Sequence, residues 1–253
     1  MKRPLNHCLI FALFLLTFPG IAAPLNAFPH ATPAQSTSAQ PTVDEILSKY
    51  VQALGGAEAY HKLKTRVMKG VIHITGTGEA GSIEVYEKAP NKGTSTTFIP
   101  GDSPATRGTN GTTGWYVDPD SGPQDVTGGD LEPLKRQFDF YREIRLKEIY
   151  PQMVFQGTAT VNGRQAYVTE ATLDDGRSLK YFFDSDTGLL IRRDLASPDG
   201  VQQSFLNDYQ EVEGVQYPFE VRVADPELEI VIQYTEIRHN LPIEDLKFEK
   251  PAR

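Results

Sequence analysis

Between Val215 and His239 the chain reads VQYPFEVRVADPELEIVIQYTEIRH, and its side chains alternate with a period of two. Tyr217, Phe219, Val221 and Val223 share one parity, Glu220 and Arg222 the other. An extended backbone therefore puts an apolar row on one sheet face and a polar row on the opposite one. Asp225-Pro226 interrupts the run, because proline fixes its own φ and restricts the residue before it. Leu228, Ile230, Ile232 and Tyr234 then resume the alternation. The segment is a hairpin of two long strands with one greasy side, which has to be covered by the chain's own helices or by an apolar ligand.

The same rhythm fills the sequence from Met153 onward. Apolar-alternating stretches are separated by Asn162-Gly163, Asp174-Asp175-Gly176, Asp184 to Gly188, Ser197 to Gly200 and Glu213-Gly214. Tight turns of this kind make successive strands pair antiparallel. Upstream, Val67–Thr75 and Thr94–Ile99 have strand composition, and Asn110-Gly111 between Thr106–Thr109 and Thr113–Val117 is a hairpin signal. The Gly76-x-Gly78-x-x-Gly81 string matches a dinucleotide fingerprint, but Ile83 and Val85 make the next element a strand, so no helix N-terminus is there to receive a pyrophosphate. The string reads as a turn.

Two stretches depart from the strand pattern. Thr42-x-x-Glu45 is a capping box ahead of Ile46, Leu47, Tyr50, Val51 and Leu54, which gives a helix closed by Gly55-Gly56 and followed by a short helical piece over Ala57–Leu63. Asp118 to Asp130 reads as a mobile loop rich in Asp, Pro, Gly and Ser. After it Leu131, Leu134, Phe138 and Tyr141 recur at three and four, a helix or helix pair ending near Tyr150-Pro151. About ten or eleven strands are expected in all.

The N-terminus has a separate logic. Lys2 and Arg3 precede an apolar run from Cys8 to Phe18 and a small-residue stretch, which reads as a secretory signal peptide over residues 1–27, cleaved after Ala27. Residues 28–41 have the Pro, Ala, Ser, Thr and Gln composition of a linker, leaving 42–253 as one domain of about 210 residues. The single cysteine, Cys8, leaves with the leader, so no disulfide, cysteine metal site or cysteine nucleophile is expected. Losing Lys2 and Arg3 takes the basic count from 25 to 23 against 33 acidic side chains, a net charge near −10 that disfavours nucleic acid as a partner.

Catalytic constellations do not emerge. His30, His61, His73 and His239 share no metal-ligand spacing, and neither G-x-S-x-G nor H-E-x-x-H occurs. Asp184-x-Asp186-x-Gly188 resembles the start of a calcium loop, yet Gly188 and Leu195 stand where that motif needs ligands. No catalytic residue, metal or cofactor is expected. What the chain offers is a supply of large apolar side chains on successive strands: Ile83, Val85, Phe98, Trp115, Phe183, Phe205, Phe219, Val221, Ile230 and Ile232. The helices are few for so many strands, so these ten are candidates to line a hydrophobic cavity. The alternative is that bulky helix residues such as Tyr50, Leu54, Tyr60, Phe138, Phe140 and Tyr141 fill the cavity from within, which would make the chain a structural or protein-interaction module.

Three segments carry a family resemblance. VDEILSKYVQALGG (Val43–Gly56), the strand opening at Val67–Gly70 and the tail TEIRHNLPIEDLKF (Thr235–Phe248) resemble the outer-membrane lipoprotein-sorting proteins of the LolA/LolB-like group. The resemblance implies a mainly β fold with a few helices: a long curved antiparallel sheet forming an unclosed half-barrel plugged by helices. It also implies a periplasmic, non-enzymatic carrier whose partners are a lipid or an acylated lipoprotein and membrane-associated donor or acceptor proteins. An arginine helps such carriers hold cargo, but no residue of this chain is matched to it.

Overall fold

The computed structural model describes residues 40–118, 121–198, 200–226 and 228–252. The expected leader and all but the last two residues of the expected linker lie outside them, with Cys8 and His30. Thirteen strands form one sheet: β1 (Thr65–Ile74), β2 (Ala80–Lys88), β3 (Lys92–Phe98), β4 (Ala105–Thr109), β5 (Gly114–Asp118), β6 (Gly122–Val126), β7 (Val154–Val161), β8 (Arg164–Thr172), β9 (Ser178–Asp184), β10 (Leu190–Ser197), β11 (Gly200–Val212), β12 (Val215–Ala224) and β13 (Glu229–His239). The helices are α1 (Val43–Ala53), α2 (Ala57–Lys62), α3 (Leu131–Gln137) and α4 (Leu146–Ile149), with short 3-10 turns between them and at Asp245–Phe248.

The strand order is β6-β5-β4-β3-β2-β1-β13-β12-β11-β10-β9-β8-β7, antiparallel throughout. Two meanders are thus joined only where β1 meets β13, and the sheet ends at β6 and β7 without closing. Those two margins flank the helical segment in the chain, so the connection from one to the other carries α3 and α4 onto the face where the core lies. Both free edges are blunted. β6 is five residues long and contains Pro123, and β7 is bulged between Phe155 and Gly157, devices that discourage strand addition by another chain.

β6 corrects the expected mobile loop, and the strand total exceeds the ten or eleven expected. Its sequence, GPQDV, has no apolar alternation; its pairing with β5 is made by backbone groups, which carry no side-chain signature. The α1 start is as expected: Glu45 N–H donates to Thr42 Oγ1 at 3.2 Å, and Thr42 N–H to Glu45 Oε2 at 2.8 Å. Gly55 ends that helix at φ +109, where a Cβ would lie 2.1 Å from the Gly214 carbonyl oxygen. The turn is pinned against the β11–β12 hairpin.

The face opposite the helices carries its own cover. Tyr86, Thr94, Gly108 and Trp115 form one row across β2 to β5, and the C-terminal 3-10 turn lies on it. Trp115 Nε1 donates to the Phe248 carbonyl at 3.0 Å, Phe248 is fully buried, and Lys88 and Lys92 reach Asp245 at 2.8 and 2.9 Å. The tail therefore clips four strands from outside. Phe248→Ala is expected to lower the unfolding free energy by about 3–5 kcal/mol, the range for removing a buried aromatic ring, read by urea denaturation. A loss under about 1 kcal/mol would show that the tail is not part of the cooperative unit.

Candidate functional site

The helix-bearing face of the sheet has two regions. In the first, α1, α2 and the α3–α4 segment fill the concavity. Ile46, Leu47, Tyr50, Leu54, Tyr60, Leu134, Phe138, Phe140 and Leu146 pack with Met68, Ile83, Val85, Leu179, Tyr181, Phe183, Val215, Tyr217 and Ile237 from the strands. Phe138 sits so close to β3 that a Cβ on Gly93 would lie 2.0 Å from its ring. Tyr50 packs on Phe183 at 5.1 Å between ring centroids, and its hydroxyl donates to Glu143 at 2.7 Å.

A buried ionic knot ties this plug to the sheet. Arg66 on β1 lies between the Phe140 and Tyr217 rings, 5.1 and 5.2 Å from their centroids, and its Nε donates to Glu87 at 2.6 Å. Arg142, from the helical segment, donates to the other Glu87 oxygen at 2.9 Å. Burial alone would raise the Glu87 carboxyl, but the Arg66 and Arg142 charges outweigh it and hold the group below the usual carboxylate range. Glu87 is thus a charged hinge-pin between β2 and the plug. Glu87→Gln leaves the buried Arg66 guanidinium without its counter-charge, Arg142 keeping Glu143, and is expected to cost about 3–5 kcal/mol of stability. Replacing the pair together, Arg66→Met with Glu87→Leu, is expected to recover most of that loss in the same urea titration.

His239 completes the knot. Its Nε2 lies 3.0 Å from the Tyr217 hydroxyl, and Nδ1 is 3.4 Å from Glu213. Burial, then the Arg66 charge, hold the imidazole below its ordinary value, against the opposing pull of Glu213. Protonation is therefore easier in the unfolded chain. The contribution of neutral His239 is fully present above the unfolded pKa of about 6.5 and is lost as pH falls through the lower folded value. The stability gap between the native chain and a His239→Gln variant should accordingly shrink as pH is lowered from 7 to 5. A gap independent of pH would mean that His239 does not titrate across folding.

Beyond the plug the same face is apolar but thinly covered. Leu206, Val221, Ile232, Ile72 and Gly81 form one cross-strand row, and Ser204, Val223, Ile230 and Ile74 form the next. Phe219, Leu206 and Ile232 touch the edge of the plug core, whereas Val221, Val223, Ile230 and Ile74 lie outside it and are only half-buried. Two surface clefts of about 430 Å³ each lie elsewhere, one between α1 and the Glu143–Lys147 stretch, the other on the outer face under Leu241–Lys247. Among the described residues no group of three or more His, Cys, Asp or Glu side chains is placed to hold a metal ion.

The ten residues singled out in the sequence divide three ways. Phe219, Val221, Ile230 and Ile232 stand together on the thinly covered floor, while Ile83, Val85 and Phe183 share its face but are sealed under the helices. Phe98, Trp115 and Phe205 are on the opposite face and do not line the concavity. Phe98 pairs with Ser82, one position out of phase with Ile83. Trp115 belongs to the tail's docking row. Phe205 is packed with Val168, Phe182 and Ile191 and is flanked by the Arg192 and Arg222 guanidiniums at 5.4 and 4.0 Å. Hydrophobicity alone chose these three; strand register decides the face, and it puts them outside. Leu206, Val223 and Ile74, absent from the ten, belong to the floor, and the parity of Val223 with Val221 was the signal for it.

No protein-family model matches the chain, and no curated protein matches it by sequence. Solved structures do match. A LolA superfamily protein from Nitrosomonas europaea superposes with a TM-score of 0.58 at 15% identity, covering 83% of this chain and 99% of that one. A DUF1329 family protein from Desulfovibrio piger gives 0.58 at 18% identity over 82% and 97%. An outer membrane lipoprotein-sorting protein domain from Vibrio parahaemolyticus gives 0.52 at 10% identity over 80% and 97%. The unclosed antiparallel sheet plugged by short helices is thus the LolA-like fold, present here over residues 42–252.

Proposed function

We propose that the chain is an exported, non-catalytic binder of a hydrophobic ligand, the acyl chains of a lipid or lipoprotein, held on the thinly covered floor of the half-barrel. The observation that carries this reading is the half-buried apolar floor beyond the plug, formed by Val221, Val223, Ile230 and Ile74. Burial of each methylene there stabilises by about 0.8 kcal/mol. The fold shared with a lipoprotein-sorting domain points the same way, and the leader over residues 1–27 supplies the route to the periplasm. A larger cargo would require the helical segment to lift, breaking Arg142–Glu87 and Arg136–Asp174, both ion pairs between that segment and strands or turns of the sheet.

A second reading rests on the plug itself. Tyr50, Leu54, Tyr60, Phe138 and Phe140 are essentially inaccessible and fill the concavity from within, as a structural or protein-interaction module would need. The two readings separate by native mass spectrometry, with organic extraction, on the chain expressed with its own leader and purified from a bacterial periplasm. A lipid or acylated peptide bound near one to one, and lost in a folded Val221→Asp/Ile230→Asp variant, is the expected result. A bare protein that also takes up no added acyl lipid would overturn the binder in favour of the module.

A further inference from the structure

Leu246 stands apart from the rest of the described surface. It is 80% exposed, whereas the other six exposed large apolar side chains lie between 36 and 51%. Fraying does not account for this, because the turn that carries Leu246 is fixed on every side. Asp245 accepts from Lys88 and Lys92 at 2.8 and 2.9 Å, the Lys247 ammonium lies 4.1 Å from the centre of the Tyr86 ring, and Phe248 is fully buried. The chain thus holds a leucine out in water on a rigid support, where it contributes nothing to its own fold.

Beside this knob lies a hole. The outer-face cleft of about 430 Å³ is walled by Val67, Tyr86, Leu241, Pro242 and Ile243, with the exposed Glu244 and Lys247 also lining it. Knob and hole therefore share one face and one short stretch of tail. A face that carries both a projection and a recess is self-complementary: a two-fold axis between them brings each projection to the other copy's recess. The charges have the same symmetry. Glu244 and Lys247 flank Leu246 in the chain with opposite signs, and among the described residues neither forms an ion pair of its own.

We infer that this outer face joins two copies of the chain about a two-fold axis, with Leu246 of each seated in the other's cleft and Glu244 of each opposite the other's Lys247. The occupant is a second copy because the face supplies both halves of the contact, in shape and in charge. Little freedom is lost on association, since the tail turn is already ordered by its bonds to the sheet. The candidate floor is on the opposite sheet face and stays open in both copies, so the inference does not depend on what the floor binds.

The test is sedimentation equilibrium of the full chain, expressed with its own leader, at total concentrations from about 1 to about 300 μM, a span that covers weak dimers of modest interface area. The native chain should pass from monomer to dimer within it. Leu246→Asp replaces an exposed side chain and is expected to melt as the native protein does, yet it should raise the dissociation constant about a hundredfold, since every dimer loses two knobs. Glu244→Lys sets like charges across the axis and should weaken the dimer about tenfold, and the double swap Glu244→Lys/Lys247→Glu should restore it. A dimer that Leu246→Asp leaves intact, or a double swap no better than the single one, overturns this interface. So does a native chain that is monomeric throughout, and Leu246-dependent co-sedimentation with phosphatidylglycerol vesicles would then assign the knob to a membrane surface.

Discussion

A sheet of thirteen antiparallel strands that does not close on itself has one face too many for a chain of this size. That constraint organises everything else. Large open sheets twist and curl, and the curled sheet presents a concavity whose apolar side chains need cover. The chain meets the need unevenly. It inserts its helices where the two edges fail to meet, and the plug so formed seals the Tyr181–Phe183 and Ile83–Val85 region but leaves the Val221–Ile230 region thin. The boundary between core and candidate site is therefore a boundary of helix coverage, with no change in strand chemistry across it.

The ionic knot fits this account. A hydrophobic plug on a hydrophobic sheet is non-directional and could settle in several ways, whereas Glu87 accepts from Arg66 on the sheet and from Arg142 on the plug in one geometry. Parting a buried ion pair is costly, so plug positions that separate Glu87 from Arg66 or Arg142 are disfavoured. The Phe140 and Tyr217 rings on either side of Arg66 exclude water from the knot and strengthen that selection.

Much of the architecture was legible in the residues because it is written in local chemistry. The Thr42–Glu45 capping box, the Asn110-Gly111 hairpin and the alternation of Tyr217 to Val223 each state their own geometry, and each appears as read. β6 was illegible because backbone pairing alone makes it a strand. The candidate floor was half legible. The common face of Phe219, Val221, Ile230 and Ile232 could be read because they belong to one continuous hairpin whose parity is explicit. Phe98, Trp115 and Phe205 could not, since the face of an isolated aromatic depends on the register of a partner strand far away in sequence. The pairing of Arg66 with Glu87 was invisible for the same reason: opposite charges 21 residues apart on adjacent strands meet only once β1 and β2 are in register.

The two meanders, β1 to β6 and β7 to β13, are each built from near neighbours, and a single pairing, β1 with β13, makes them one sheet. Arg66 faces His239 across that seam, so the loop it closes comprises nearly the whole domain. Local hairpins can form as they become available, but the seam pays a large closure entropy and waits for the last strand. The consequence is kinetic. Each meander can gather from its own hairpins, and the β1–β13 pairing that makes them one sheet is expected to be the slow, late event of folding.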